Sequence, residues 1–377
     1  MRVICCPDKF RGSMTAAEAA AAMSAGVRDA IPTAEVVEMP LADGGEGTLA
    51  ALVRALGGVR RDAIVIGPLG CPVGAAWALL GDGTAVVELA SASGIELVAP
   101  GVRNPMRTTT FGTGELIGAA CRHEPKPRRL IVALGGSATN DGGAGLLQAL
   151  GARITDADGR SLARGGAALI GVTNVDLSEA FAILDGIELI AACDVDAVLC
   201  GADGASVRFG PQKGATAAEV AVLDDALRIW GAALGHAAGA ISSSIFEHAG
   251  AGAAGGTGAA LLALGARLVS GAALVLDATG FDDAVRGCDL VLTGEGRIDD
   301  GSATGKVVGE VARRAAGRPV HAFAGVIAGG ESALRALGVR GVHGIGDGTS
   351  SADALSLGST RLRHAVAEFC RRSAWRR

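Results

Sequence analysis

The feature that most limits the fold of this chain is a recurring unit: a short apolar run, a loop dense in Gly and Asp, then a stretch with helical spacing. Strand and helix signals that alternate in this way build α/β architecture, and ligands in such folds sit beyond the carboxyl ends of the strands. A first strand is expected over residues 2–7. A helix over 15–30 should follow, with Ser13 or Thr15 as cap and Glu18 at capping-box spacing from Thr15. A second strand is expected near 36–40 and a second helix over 46–56. The pattern changes from about 60 to 90, where two or three β-rich runs follow closely, as in AIVI at 63–66 and AVVEL at 85–89, and read as antiparallel or mixed sheet. Further strands are expected at 130–134 and 187–192. Plain βα alternation then returns, with strands at 290–292, 320–324 and 342–345 and helices over 304–316 and 359–372. Two strands at the start and three at the end make a five-stranded parallel sheet. The expected domains are therefore 1–60 plus 282–377, with a second α/β, mixed-sheet domain at 61–281 inserted into the first and the active site in a cleft between them.

Composition removes several classes of function. Hydrophobic residues are 49% of the 377 and charged residues 19%, the reverse of the balance that keeps a chain disordered. Aromatics are 3% and Tyr is absent, so platforms for stacking bases are not expected. The formal net charge is -5 without a long basic run, and Arg371, Arg372, Arg376 and Arg377 read as a solvated helix end; no nucleic-acid partner is expected. Eight Cys are scattered without a C-x-x-C pair, as small buried hydrophobes in a reducing compartment would be. The N-terminal apolar run is too short for a signal peptide, and the Ala- and Gly-rich stretch 249–266 is too weakly apolar to span a membrane. A soluble cytoplasmic protein without a membrane partner is the expectation, with a homo-oligomer as one option.

The chemistry is concentrated in six loops. PDKFRGS at 7–13 offers Asp8, Lys9 and Arg11 before a helix N-terminus, where anions are favoured. PLADGGEGT at 40–48 sets Asp43 beside glycines that let backbone approach a ligand; the plainer reading is a Gly turn with Asp43 as helix cap. GGSATNDGGAG at 135–145 follows a buried strand and could aim several backbone N–H groups at a phosphate, although it lacks the Gly-Lys-Ser/Thr ending of a Walker A loop. Asp194 and Asp196 follow a strand and suit metal binding or base catalysis, and Lys213 suits a phosphate; Asp196 alone reads equally well as a turn acid in solvent. AAGGTG at 253–258 is a second anion loop or a close helix contact through small residues. In TGEGRID at 293–299, Glu295 stands near Arg297, a natural bidentate partner for a carboxylate, and Lys306 follows in the first turn of a helix. Each loop alone is weak evidence; six of them, nearly all at strand ends, exceed what a scaffold needs.

In order and wording these segments resemble the type 1 glycerate kinases of bacteria. The carriers also include FGTGEL at 111–116, FGPQKGA at 209–215 and GAAGGTGAAL at 252–261; GGSATNDGGAG and TGEGRID are the specific ones. The resemblance implies a flavodoxin-like domain carrying an inserted α/β domain, and transfer of the ATP γ-phosphoryl group to D-glycerate with Mg²⁺, giving 2-phosphoglycerate. Arg11 departs from the family's usual lysine, and Ala197-Val198 replaces its usual Asn-Pro. On this reading Asp194, Asp43 and Lys213 are catalytic, and Asp194 and Asp43 are the Mg²⁺ ligands. Arg297, Arg11, Asp8 and Glu295 bind glycerate, while Lys9, Gly135, Gly136, Ser137, Thr139, Asn140, Asp141 and Gly142 bind nucleotide phosphates. A kinase for another small hydroxy acid, or a sensor that binds glycerate or nucleotide without turnover, are the alternatives.

Overall fold

In the computed structural model, residues 1–239, 245–346 and 357–372 are described. The strands are β1 (Arg2–Cys5), β2 (Glu35–Glu38), β3 (Gly58–Ile66), β4 (Pro72–Leu80), β5 (Thr84–Glu88) and β6 (Arg129–Ala133). They continue with β7 (Arg153–Thr155), β8 (Asn174–Asp176), β9 (Glu188–Ala192), β10 (Arg267–Val269), β11 (Leu290–Ile298), β12 (Val320–Ile327) and β13 (Val339–Gly344). The chain divides into two compact units: one comprises Met1–Asp43, Ala50–Ala55 and Ser270–Arg377, the other Gly44–Leu49 and Leu56–Val269. One joint thus falls inside the 40–48 loop, and residues 270–281 belong with the first unit, whereas the sequence reading set the joints after 60 and 281.

The first unit holds the five-stranded sheet, ordered β13-β12-β11-β1-β2 and parallel throughout. The strand pair at its centre joins residues far apart in sequence, with Val3 opposite Leu290. The helix Ala16–Ala30 begins at Thr15 with the expected capping box to Glu18. It packs on the helix Gly358–Arg372 at Gly26, where a Cβ would lie 2.4 Å from the Arg363 carbonyl oxygen, a contact open only to glycine. A bidentate Arg363–Asp29 pair at 2.7 and 2.8 Å lies beside that contact. The core around β1 and β11 comprises Val3, Cys5, Leu290, Leu292 and Phe323, with Leu362 and Val366 from the last helix. Arg371 and Arg372 are exposed at that helix's end, and Arg376 and Arg377 lie outside the described residues.

The second unit is built on a six-stranded mixed sheet, ordered β10-β9-β6-β5-β4-β3. Its first four strands are parallel, and β4 and β3 are added antiparallel, as the β-rich stretch after residue 60 suggests. A separate antiparallel pair, β7 with β8, was not anticipated: at three residues each, these strands carry no periodic signal. β11 also differs from expectation. It runs on through Thr293–Ile298 as strand, because glycines at 294 and 296 remove side chains where the Phe323 carbonyl and the Phe10–Arg11 backbone come close. Cys5, Cys6, Cys121, Cys288 and Cys370 are buried as expected, but Cys71 is exposed, in the turn between β3 and β4. No helix among the described residues is long and apolar enough to cross a membrane.

Candidate active site

In the first unit the sheet order β11-β1-β2 brings three of the expected loops together at adjacent strand ends. The Asp8 N–H donates to the Gly294 carbonyl at 2.8 Å, and the Leu41 N–H donates to the Pro7 carbonyl at 3.0 Å, tying the loops side by side. Asp8 is buried, and its Oδ1 accepts the Lys9 N–H at 2.6 Å. The Lys9 ammonium lies 3.5 Å from Asp43 Oδ1 and 4.0 Å from Asp8 Oδ1. Glu295 is buried on β11, and its Oε1 has no hydrogen-bond partner.

Burial, together with the Asp43 charge, raises the proton affinity of both Asp8 and Glu295. Burial pushes the Asp8 carboxyl up to about 8, helped by the Asp43 charge and opposed by Lys9, with Glu295 adding a little. Glu295 is also pushed up, first by burial and then by Asp43 and Asp299, against a hydrogen bond from Ser302 and the charge of Lys306. An incoming cation would relieve both.

Past Glu295, Arg297 is largely exposed, with Nε 3.8 Å from Asp299 Oδ2. Asp299 accepts the Gly301 N–H at 3.0 Å and lies 3.4 Å from the Lys306 ammonium, at the start of the helix Val307–Arg314. Arg11 is exposed.

In the second unit the loop after β6 is folded into the interior. The Gly135 N–H donates to the Gly44 carbonyl at 2.9 Å, and the Gly136 carbonyl accepts the Ile95 N–H at 2.8 Å. Gly135 and Gly136 are half-buried, while Ser137, Thr139, Asn140 and Asp141 are buried. Gly136, Gly142 and Gly143 have φ of 75°, 59° and 75°, values that glycine adopts without strain.

Asp141 does not present a free carboxylate. Its Oδ2 accepts the Thr110 N–H at 2.7 Å, the Thr110 hydroxyl at 2.9 Å and the Gly145 N–H at 3.3 Å, and its Oδ1 accepts the Gly143 N–H at 3.3 Å. Burial pushes its carboxyl up, and these four hydrogen bonds hold it down. It staples the loop to the helices Phe111–Cys121 and Ala144–Ala149.

Lys213 is buried with its Nζ 2.6 Å from the Thr139 carbonyl oxygen. Burial lowers its affinity for a proton to a value of about 7, with Asp141 pulling the other way. Asn140 donates to Ser206 Oγ at 2.9 Å, while Asn140 Oδ1 and Thr139 Oγ1 are buried without a partner. Unsatisfied buried acceptors and hydroxyls are rare in folded proteins and mark places where a ligand can supply the missing bond. The segment Ala254-Gly255-Gly256 lies against this loop, all three residues in left-handed conformation, and the Gly255 carbonyl accepts the Gly142 N–H at 2.9 Å. The close-packing reading of AAGGTG is thus the one the geometry displays.

Asp194 is half-buried just beyond β9. Asp196 is exposed and bonded to Arg208 at 2.6 Å. The helix Thr48–Leu56 is not capped by Asp43. Instead Glu88, at the end of β5, accepts the Gly47 and Leu49 N–H groups at 3.0 and 2.8 Å. Glu88 and Thr110 organise these loops, and sequence reasoning missed both, because each acts on a segment tens of residues away. Among the described residues no three or more His, Cys, Asp or Glu side chains gather closely enough to chelate a metal on their own.

Comparison with known proteins gives a consistent answer. The sequence profile of the glycerate kinase family matches residues 3–374. The glycerate kinase of Bacillus subtilis (strain 168) is 45% identical, covering 92% of this chain and 90% of its own length. The glycerate 2-kinase of Escherichia coli (strain K12) is 42% identical over 99% of this chain and 96% of its own. A crystal structure from Salmonella typhimurium LT2, of a protein provisionally named glycerate kinase 2, superposes with a TM-score of 0.80 at 40% identity, covering 98% of this chain and 97% of that one.

Proposed function

We infer that this chain, which belongs to the glycerate kinase family, is a glycerate kinase, a phosphotransferase with an alcohol acceptor. Our finer reading is that it moves the γ-phosphoryl group of ATP to the 2-hydroxyl of D-glycerate, in the cytoplasm. The observation that carries the choice of hydroxyl is the near full-length similarity to a glycerate 2-kinase.

Phosphoryl transfer asks a protein mainly for positioning and for neutralisation of charge. In our reading Asp194 accepts the hydroxyl proton, and Arg297 with Arg11 clamps the glycerate carboxylate. Lys9 and the loop Gly135, Gly136, Ser137, Thr139, Asn140 and Gly142 hold the phosphates. Lys213 shapes that loop through the Thr139 carbonyl. Asp8 and Glu295 set the charge around the acceptor.

Mg²⁺ is a hard cation that takes one or two carboxylates and completes its shell with phosphate oxygens and water. Asp43 is a donor of that kind, and the unpartnered Glu295 Oε1 of the same unit supports a cation beside it; Asp194 is a second donor of the right chemistry. Bound there, Mg²⁺ would neutralise charge on the transferring phosphates.

Phosphorus NMR of the product from ATP and D-glycerate tests the reading. 2-Phosphoglycerate is expected; 3-phosphoglycerate would reverse the regiochemistry, and absence of ADP would remove the choice of ATP as donor. A panel of small hydroxy acids tests the substrate, with D-glycerate expected to give the highest kcat/KM.

A further inference from the structure

The second unit ends in a strand edge with an unusual sign pattern. β3 pairs with β4 along its whole length, and among the described residues no strand pairs with its other side. The ladder is bracketed by the Gly81 N–H donating to the Gly57 carbonyl at 3.2 Å and the Gly67 N–H donating to the Cys71 carbonyl at 2.7 Å. In an antiparallel ladder such pairs alternate along the strand. The odd-numbered residues of β3 therefore turn their backbone groups toward β4, and Gly58, Arg60, Asp62 and Ile64 turn theirs outward. The row stops at Ile66, whose N–H is taken by Glu115 Oε2 at 2.6 Å.

An open row of this kind recruits a further strand unless it is blunted. The side chains along it are exposed: Arg60 and Asp62 by 64% and 79%, and Ile64 by 82%. Isolated edge charges of one sign repel a second copy. Here the charges are opposite and two residues apart, and they pair with each other within the strand, Arg60 Nε donating to Asp62 Oδ1 at 3.0 Å. A two-fold axis through Arg61 sets Arg60 opposite Asp62 of the second copy, and Asp62 opposite its Arg60, so that this exposed pair can be exchanged for two across the strands. The same axis seats Ile64 over the bare Gly58. A shift of two residues in either direction along the partner strand sets Arg60 or Asp62 opposite itself. Cross-strand pairs of opposite charge stabilise a sheet and like pairs oppose it. This register makes two opposite pairs against one like pair, Arg61 with its own copy, whereas either shifted register makes a like pair and no opposite one, so the first is favoured. Arg61, on the axis, faces the other side of the sheet, with its guanidinium 5.7 Å from the Trp77 ring centre.

We propose that β3 joins a second copy of this chain edge to edge, antiparallel about Arg61, in a closed two-fold dimer whose mixed sheets run on into one another. Light scattering on the full chain, from micromolar to hundred-micromolar concentration, is expected to give twice the chain mass. Arg60→Asp alone, or Asp62→Arg alone, is expected to halve that mass while circular dichroism and glycerate kinase turnover are kept. The double variant R60D/D62R restores the complementary pairs and is expected to restore the dimer. Hydrogen exchange at the Asp62 and Ile64 amides is expected to slow as concentration rises. A wild-type monomer throughout would overturn the proposal, as would a dimer indifferent to the single charge reversals or a double variant that stays monomeric.

Discussion

Burial opposes the charged forms of Lys213 and Asp8, and each has a measurable consequence. Asp8 holds its proton to about pH 8 in the folded chain and releases it near pH 4 when unfolded. The folded state therefore binds more protons through that interval, and stability falls as pH rises across it. Asp8→Asn removes the titration. Its stability advantage over wild type is expected to grow from pH 4 to pH 8 and to reach at least ~1 kcal/mol, read from urea midpoints without ligands. The expected cost is catalytic, on our reading that Asp8 lies beside the acceptor. Asp194→Asn is expected to lower kcat by about two orders of magnitude or more with an unchanged circular dichroism spectrum; near-normal turnover would end its role as base. The residues of these loops were legible from their Gly, Asp and Lys content. Their division of labour was not. Asp141 commits its Oδ2 to Thr110, 31 positions away, and Lys213 is committed to Thr139, 74 positions away. Only folding makes such pairs neighbours.

Among the elements, the helices were the most readable, because their ends are encoded locally. Thr216 closes a capping box with Glu219 at the head of the helix Ala217–Ala238. Thr216→Ala is expected to cost about 1 kcal/mol, measured by denaturant titration, with KM for glycerate unchanged. The loop pair 135–145 and 252–258 behaves differently, since its geometry depends on bare backbone. A Cβ on Gly255 would stand 2.1 Å from the Thr139 carbonyl oxygen at a φ of +67°. Gly255→Ala is therefore expected to destabilise by roughly 2–4 kcal/mol and to raise KM for the nucleotide by displacing Thr139; a variant with wild-type KM would detach this segment from nucleotide binding. Sequence reading left AAGGTG balanced between an anion loop and a packing contact. It also ended β11 early, because glycine in a strand and glycine in a loop look alike until the neighbouring backbone is known.

For the molecule as a whole, the five parallel strands were legible because each apolar run is short and is soon interrupted by proline or glycine. β7 and β8 were too brief to register, and the joints between units carry no linker composition. Alkaline stability is a property at this scale. Lys213 is held near 7 in the folded chain against about 10.5 when unfolded. The unfolded state then binds more protons between these values, so stability rises with pH across that window. Urea midpoints at neutral and alkaline pH are expected to show this rise in wild type, and Lys213→Met to flatten it; an equal rise in both would assign it elsewhere. The pairing of Val3 with Leu290 has a further consequence, for the order in which the protein can be made. At a synthesis rate of about 5–20 residues per second, the first strand leaves the ribosome roughly 15 s to 1 min before its neighbour exists. By the end of that interval all of Leu56–Val269, nearly the whole second unit, has been made, while β1 still waits with one side unpaired. β1 is thus made well before the strand it lies beside, and it is among the last parts of its sheet to reach its final place.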